Sequence, residues 1–207
     1  MNPKFAILLD GGFVTKVLKT RCGAFPTPAD VVSETKRISE KSELTGYDLF
    51  RIYYYDAPPS AARLTNPLDQ SPVNLGGSPV YQQRINFLRA LELMPNFAVR
   101  KGETKANGWK VGNAALKDML RPQSTHTTLQ ANDLQPDIQQ KGVDLRIGLD
   151  IALLALRQFV QVIVVVTADS DFVPAFKFAR REGVRVFLDY LGAPVNQELK
   201  IHADIVL

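Results

Sequence analysis

A chain of 207 residues with 45% apolar side chains can bury one sizeable core, which excludes global disorder. Its single cysteine, Cys22, excludes a disulfide framework and points to a reducing, cytoplasmic setting. The net charge of +4 permits a polyanionic partner without requiring one, and no apolar run is long enough for a signal peptide or a membrane span.

Taken in chain order, Phe5–Leu9 is a continuous apolar run between Pro3 and Gly11, the signature of a strand buried on both faces. Thr27–Glu43 reads as a helix, with Thr27 as cap, Pro28 in its first turn and Val31, Val32 and Ile38 on one face. Tyr47–Tyr55 is an aromatic-rich strand, and Asp56–Pro79, crowded with Pro, Ser, Asn and Gly, reads as a long loop. Tyr81–Leu93 has helical spacing and Phe97–Gly102 is a short strand. Asn107-Gly108, between Val99-Arg-Lys101 and Trp109-Lys-Val111, is a hairpin signal, and the polar tract Pro122–Gln140 reads as a mobile loop.

Order returns with Asp144–Phe159, a helix that places Leu145, Leu149, Leu153 and Leu156 on one face. Val162–Thr167 is the clearest buried strand in the chain. Ser170–Arg181 is a helix with Pro174 in its first turn and Gly183 as its stop; Val184–Leu188 is a strand, Asn196–His202 a short helix and Ile205–Leu207 the start of an edge strand. Apolar strands alternating with helices predict an α/β fold with a central, mainly parallel sheet. Such sheets bind ligands beyond the carboxyl ends of their strands.

That rule directs attention to acids. Asp10 ends the first apolar run, Asp169 and Asp171 follow the most buried strand, and Asp144 and Asp150 lie in the helix that leads into it. Each has a local role open to it: Asp10 in a turn, Asp144 and Asp171 as helix caps. Asp150 sits among Ile147, Leu149, Ile151 and Ala152, and a buried acid needs a partner. Helical periodicity sets Asp144 and Asp150 about 120° apart, so both face one site only if it lies over the helix start. Clustered carboxylates repel unless a cation sits among them. Oxygen donors without His or Cys suit Mg²⁺ or Mn²⁺. The two histidines, His126 and His202, stand far apart with no ligand spacing, which argues against zinc and against a Ser-His-Asp triad. No phosphate-binding glycine motif is present.

Three segments, Ile7-Leu-Leu-Asp-Gly-Gly-Phe13, Lys141-Gly-Val-Asp-Leu-Arg-Ile-Gly-Leu-Asp150 and Val165-Val-Thr-Ala-Asp-Ser-Asp-Phe-Val-Pro174, resemble those of the NYN domains, the PIN-like group that includes the LabA-like proteins. The resemblance implies a three-layer α/β/α sandwich over residues 1–207 as a single domain, with the hairpin and mobile insertion at about 103–142. It implies metal-dependent hydrolysis of RNA phosphodiester bonds, with single-stranded or structured RNA as partner and a homodimer among the states such folds adopt. Asp10, Asp144, Asp150, Asp169 and Asp171 would be the catalytic acids, and Asp10, Asp150, Asp169 and Asp171 would hold Mg²⁺ or Mn²⁺. Arg146, Lys177, Arg100, Lys101, Lys105 and Lys110 would grip the RNA backbone, and Trp109 and Tyr53–Tyr55 are aromatic enough to stack bases or to fill the core. Many NYN domains carry Asn three residues after the first Asp, where this chain has Phe13. Phe13 favours a second reading, a catalytically weak or inactive RNA-binding or regulatory module on the same scaffold. A Toprim-like phosphotransfer domain ranks third, because Asp10 stands where that fold needs a glutamate.

Overall fold

The computed structural model describes residues 2–207. In chain order the elements are β1 (Lys4–Asp10), α1 (Gly11–Cys22), α2 (Pro28–Ser39), β2 (Asp48–Asp56), β3 (Arg63–Thr65), β4 (Pro72–Asn74), α3 (Pro79–Glu92), β5 (Phe97–Lys101) and β6 (Glu103–Val111). They continue as α4 (Asn113–Met119), β7 (Leu134–Lys141), α5 (Val143–Leu156), β8 (Val162–Val166), α6 (Val173–Arg181), β9 (Arg185–Asp189), α7 (Gln197–Ile201) and β10 (Ile205–Val206). The chain forms two compact units: one holds the chain up to Asp56 with Phe87–Gly102 and Gly142–Leu207, the other Ala57–Asn86 with Glu103–Lys141.

The first unit is built on a six-stranded sheet in the order β10-β9-β8-β1-β2-β5, with every neighbouring pair parallel. Helices cover both faces, which is why the central strands read as unbroken apolar runs rather than alternating ones. Phe5, Ile7 and Leu9 of β1, Tyr54 of β2 and Val162, Val164 and Val166 of β8 pack with Val14 and Leu18 of α1, Val31 and Ile38 of α2 and Phe87, Leu88 and Leu91 of α3. The alternate residues, Leu8, Tyr55 and Val165 among them, point to the opposite face, where α5 and α6 lie. Tyr54 and Tyr55 are fully buried, so they belong to the core and not to a base-stacking surface.

Several element boundaries follow from local chemistry. Helix α1 starts directly after Asp10, whose carboxylate caps it, and ends at Gly23, which adopts the left-handed conformation (φ 72°) and donates its N–H to the Lys19 carbonyl. The capping box of α2 is complete: Thr27 and Asp30 each accept from the other's backbone N–H. That helix stops at Ser39, short of the expected Glu43, because Ser42–Leu44 closes into a 3₁₀ turn. The expected 170–181 helix is a 3₁₀ turn at Ser170–Phe172 followed by α6.

In α5 the residues turned to the sheet are Val143, Ile147, Ile151, Leu154 and Ala155. The leucine face expected from its spacing, Leu145, Leu149, Leu153 and Leu156, is exposed. Among the described residues no helix is long and apolar enough to cross a membrane.

The second unit corrects two expectations. The stretch read as a long loop contains the antiparallel pair β3 and β4. Asn107-Gly108 does not turn the chain. It lies inside β6, where the register against β7 shifts between Ala106 and Trp109 and Gly108 takes φ 88°. Such a bulge and a tight hairpin both favour a positive φ, so the dipeptide signals either. The true partner of β6 is β7, which occupies the end of the tract expected to be irregular. His126 is held by Asp133 at 2.7 Å, with Asp118 at 3.5 Å, a structural role without zinc spacing.

Candidate active site

β1 lies between β2 and β8, so the chain builds the sheet outward in opposite directions from this pair. The carboxyl ends of β1 and β8 therefore flank the point where strand order reverses, the usual ligand position in an open parallel sheet. Asp10 is the last residue of β1, and Thr167-Ala168-Asp169 leaves the end of β8.

A hydrogen-bonded line joins these residues. Asp10 Oδ1 accepts the Phe13 N–H at 3.2 Å, capping α1, and Asp10 Oδ2 accepts the Thr167 hydroxyl at 3.1 Å. Thr167, fully buried, accepts the Asp169 N–H at 3.1 Å through the same oxygen. Asp169 Oδ1 then accepts the Asp171 N–H at 2.9 Å, capping the 3₁₀ turn. Thr167 thus ties the acid of β1 to the acid beyond β8, a role the sequence reading did not assign. Its only sequence signal is a hydroxyl placed directly after an unbroken apolar strand.

Asp144 joins this group from the first turn of α5, which follows Gly142 in the left-handed conformation (φ 73°). The electrostatics show the convergence. Burial raises the Asp10 carboxyl above its ordinary value; the Phe13 N–H and the Thr167 hydroxyl oppose that, and the charges of Asp144 and Asp169 raise it further. The Asp144 carboxyl is raised by burial and by the charges of Asp169 and Asp171. Asp144 and Asp169 thus act on Asp10, and Asp169 and Asp171 on Asp144.

Asp150 is placed elsewhere. It lies on the flank of α5 away from Asp144 and accepts the Tyr55 hydroxyl at 2.9 Å and Arg100 Nε at 3.1 Å. Arg100 also lies over the Tyr53 ring, 5.4 Å from its centroid. The partner that a half-buried acid requires is thus supplied from β2 and β5. Burial, and after it the Asp150 charge, holds the Tyr55 phenol well above its ordinary value.

The basic residues divide. Arg100 is paired with Asp150, Lys101 with Glu92 at 2.6 Å and Lys110 with Asp137 at 2.9 Å. Arg146 on α5 and Lys105 on β6 are exposed. Lys177 lines a recess of about 420 Å³ with Arg180, Arg181 and Arg185. That recess lies at the end of α6 and the start of β9, the opposite end of the sheet from the acids. Phe13 lines a groove of about 540 Å³ with Val17, Ala168, Leu191 and Pro194 beside the acid group.

Two further acids end strands of the sheet and escaped the sequence reading: Asp56 on β2 and Asp189 on β9, both buried. Val186-Phe-Leu-Asp189 repeats the pattern of Ile7-Leu-Leu-Asp10. Asp189 is neutralised by Arg37 at 2.5 Å and accepts the Leu191 N–H at 2.8 Å.

The donor chemistry of the four-acid group is all oxygen, which suits a hard divalent cation. Their mutual repulsion is the condition such an ion would relieve. As the side chains stand, among the described residues no three His, Cys, Asp or Glu groups enclose a metal position.

Comparison with known proteins completes the picture. No curated protein matches the chain. A crystal structure of a Vibrio parahaemolyticus protein of unknown function is similar in fold, with 18% identity, a TM-score of 0.53 and coverage of 100% of this chain and 92% of that one. The family model of the NYN domain matches residues 89–205, more than half of the chain, spanning Asp144, Asp150, Asp169 and Asp171 but not Asp10. The chain belongs to the NYN domain family, a PIN-like nuclease family.

Proposed function

We propose that this protein is a divalent-metal-dependent ribonuclease whose reaction centre lies beyond β1 and β8, with residues 57–86 and 103–141 as insertions in a single working domain. The observation that carries this is the acid group at one end of the sheet: Asp10 is joined through the Thr167 hydroxyl to Asp169, and Asp169 to Asp171, while burial first and then the charges of neighbouring carboxylates raise the Asp10 and Asp144 carboxyls. Unrelieved repulsion of this kind serves no purpose in stability and suits a site that receives a cation.

Asp10, Asp169 and Asp171, with Asp144 at the start of α5, are the residues that would hold Mg²⁺ or Mn²⁺. Such an ion, when bound, supplies Lewis-acid charge to a phosphoryl oxygen and lowers the pKa of a water. The chain's own groups set the stage. Thr167 orients the outer oxygen of Asp10 and fixes the backbone of Asp169. Asp150 is then a positioning residue, fixing Arg100 on the β2 and β5 side of the sheet, with Arg146 exposed on the same helix to meet a phosphate.

The test is hydrolysis of labelled single-stranded and structured RNA with and without Mn²⁺. Wild type is expected to cut only with metal, and Asp169→Asn to lose at least 100-fold of that rate. Equal trace activity in both proteins refutes the proposal. The second reading, a non-catalytic module, is favoured by Phe13, whose ring replaces a polar group beside the acids. Calorimetry separates the two: RNA binding without any divalent-metal binding at millimolar concentration selects the module.

A further inference from the structure

The groove beside the acid group differs from it in chemistry. Its volume of about 540 Å³ is that of a small-molecule site, and Phe13, Val17, Leu191 and Pro194 give it an apolar lining. Two backbone segments tie it to the acids. The Phe13 N–H is held by Asp10 Oδ1 at 3.2 Å, and Ala168, which also lines the groove, stands between Thr167 and Asp169. The half-buried Phe13 ring packs in part against the core and lines the groove with the rest.

Part of the lining is a turn held against its own preference. Leu191 takes φ 51° and Gly192 φ 71°, and the Ala193 N–H closes the turn on the Tyr190 carbonyl at 2.9 Å. A leucine in the left-handed region is a backbone outlier, and such outliers collect at ligand sites. Both backbone polar groups of Leu191 are clamped: Asp189 Oδ1 accepts its N–H at 2.8 Å, and its carbonyl accepts from Arg21. The clamps belong to one chain of alternating charge, Asp189–Arg37–Glu34–Arg21, with successive links of 2.5, 2.8 and 3.0 Å. This part of the groove therefore stands in place before any ligand arrives.

Arg21 is thus engaged, and the Thr20 hydroxyl donates to the Lys16 carbonyl at 3.1 Å. Lys16 is the cation of the groove left exposed, with no ion-pair partner among the described residues. We infer that the groove seats one base of the bound RNA, stacked on Phe13, with a phosphate of that nucleotide on Lys16; this rests on the reading that this edge of the sheet binds RNA. An apolar peptide would use the lining but leave Lys16 unmatched, and a free phosphate would use Lys16 but leave the lining wet. A nucleotide, with a flat apolar face and an anionic edge, uses both. Lys16 apart, the polar side chains of the groove are already bonded, so stacking carries the contact and the identity of the base matters little. Phe13, which stands where many NYN domains carry Asn, is then a substrate-binding residue rather than a defect in the site.

The experiment is fluorescence anisotropy of the full chain in EDTA, where nothing is cut. The probes are short labelled oligo(A), oligo(U) and oligo(C) and a base-free ribose-phosphate chain of the same length. Wild type is expected to bind the three RNAs within about threefold of one another and the base-free chain about tenfold more weakly, in keeping with one stacked base. Phe13→Ala is expected to bind all four alike. Phe13→Trp, which keeps an aromatic face, is expected to keep the difference, so that a damaged fold is not mistaken for a lost stack. Lys16→Ala is expected to weaken all four equally and to lower the salt slope of binding by about 0.7, the value for one phosphate contact on a single strand. A wild type that binds none of the probes, or binds the base-free chain as well as the RNAs, overturns the inference. So does a Phe13→Ala protein that keeps the difference, a Phe13→Trp protein that loses it, or a salt slope unchanged in Lys16→Ala. Cleavage with Mn²⁺ is scored separately: cutting that ignores Phe13 in these binding assays sinks this inference alone, and base-dependent binding without cutting sinks the nuclease reading alone.

Discussion

The adjacent glycines after Asp10 make opposite demands, and substituting them one at a time tests how the site is held. Gly11 is buried at the start of α1, with the Tyr55 carbonyl and the Tyr54 ring directly over its Cα; a Cβ built there comes within 2.8 Å of two Tyr54 ring carbons and closer still to the carbonyl. Neither neighbour can yield. Tyr55 is paired with Asp10 in the β1–β2 register, and the Tyr54 ring is fully buried. Gly11→Ala is therefore an overpacking change against fixed backbone, which costs about 3 kcal/mol. For a chain of this length that lowers Tm by about 6–12 °C. Gly12, one residue on, is exposed, and its Cβ would meet only Asp10 Oδ1 at an ordinary 3.5 Å. Gly12→Ala removes backbone freedom from the unfolded chain and gains about 0.5 kcal/mol. Tm then rises by about 1–2 °C. Thermal melts by circular dichroism in EDTA at fixed pH decide the matter. Equal shifts for the two variants, or a Gly11→Ala protein within 2 °C of wild type (less than about 1 kcal/mol), would show that the close packing of β1 on β2 does not fix Asp10. The room that glycine provides at position 11 is taken by the protein's own tyrosines, not by a phosphate.

Other outcomes follow from the same contacts. The Asp10 and Asp144 carboxyls are raised in the fold above the ordinary 3.8, so the folded state holds protons that the unfolded chain has released. In metal-free protein their contribution to stability is greatest below that value and is lost as pH rises through the folded pKa. Asp10→Asn, which keeps the cap on Phe13, should flatten this slope and raise Tm at pH 7; a Tm that falls instead counts against the cost of burying the Asp10 charge beside other carboxylates. Arg37→Met strands Asp189, whose side chain is 3% exposed, while Arg37 itself is 41% exposed; urea unfolding should show a loss of about 2 kcal/mol, less than for a fully buried pair, with at least half recovered in Arg37→Met/Asp189→Asn. Tyr55→Phe removes the buried donor to Asp150 but leaves Arg100 in place, so urea unfolding should show a loss of about 1.5 kcal/mol, and no loss would mean that the bond contributes nothing.

What the sequence revealed, and what it hid, comes down to how many physical states one pattern permits. β1 and β8 were legible because a run such as Val162–Val166, apolar at every position, has few homes other than the middle of a covered parallel sheet. The rule that parallel sheets bind ligands beyond the carboxyl ends of their strands then drew attention to Asp10 and Asp169; that β1 and β8 are neighbours came only with the structure. Helix α1 was hidden by its own start, since Gly11 and Gly12 resemble a turn and the capping role of Asp10 resembles the end of a strand. Asn107-Gly108 misleads for a related reason: a positive φ serves a bulge as well as a hairpin. In α5 the difficulty is of another kind. The helix is apolar nearly all round, so periodicity finds two candidate faces, Leu145 to Leu156 and Val143 to Leu154, and cannot rank them. The choice is made by the sheet, which takes the β-branched face containing Ile147 and Ile151 and so turns Asp144 toward Asp169 and Asp150 toward Tyr55. The five acids that look alike in the sequence are thereby divided: Asp144 lies close enough for the charges of Asp169 and Asp171 to act on it, and Asp150 is paired with Arg100. The same rotation that makes this division leaves Leu145, Leu149, Leu153 and Leu156 exposed, so the face that the spacing alone would have buried is the one the sheet rejects.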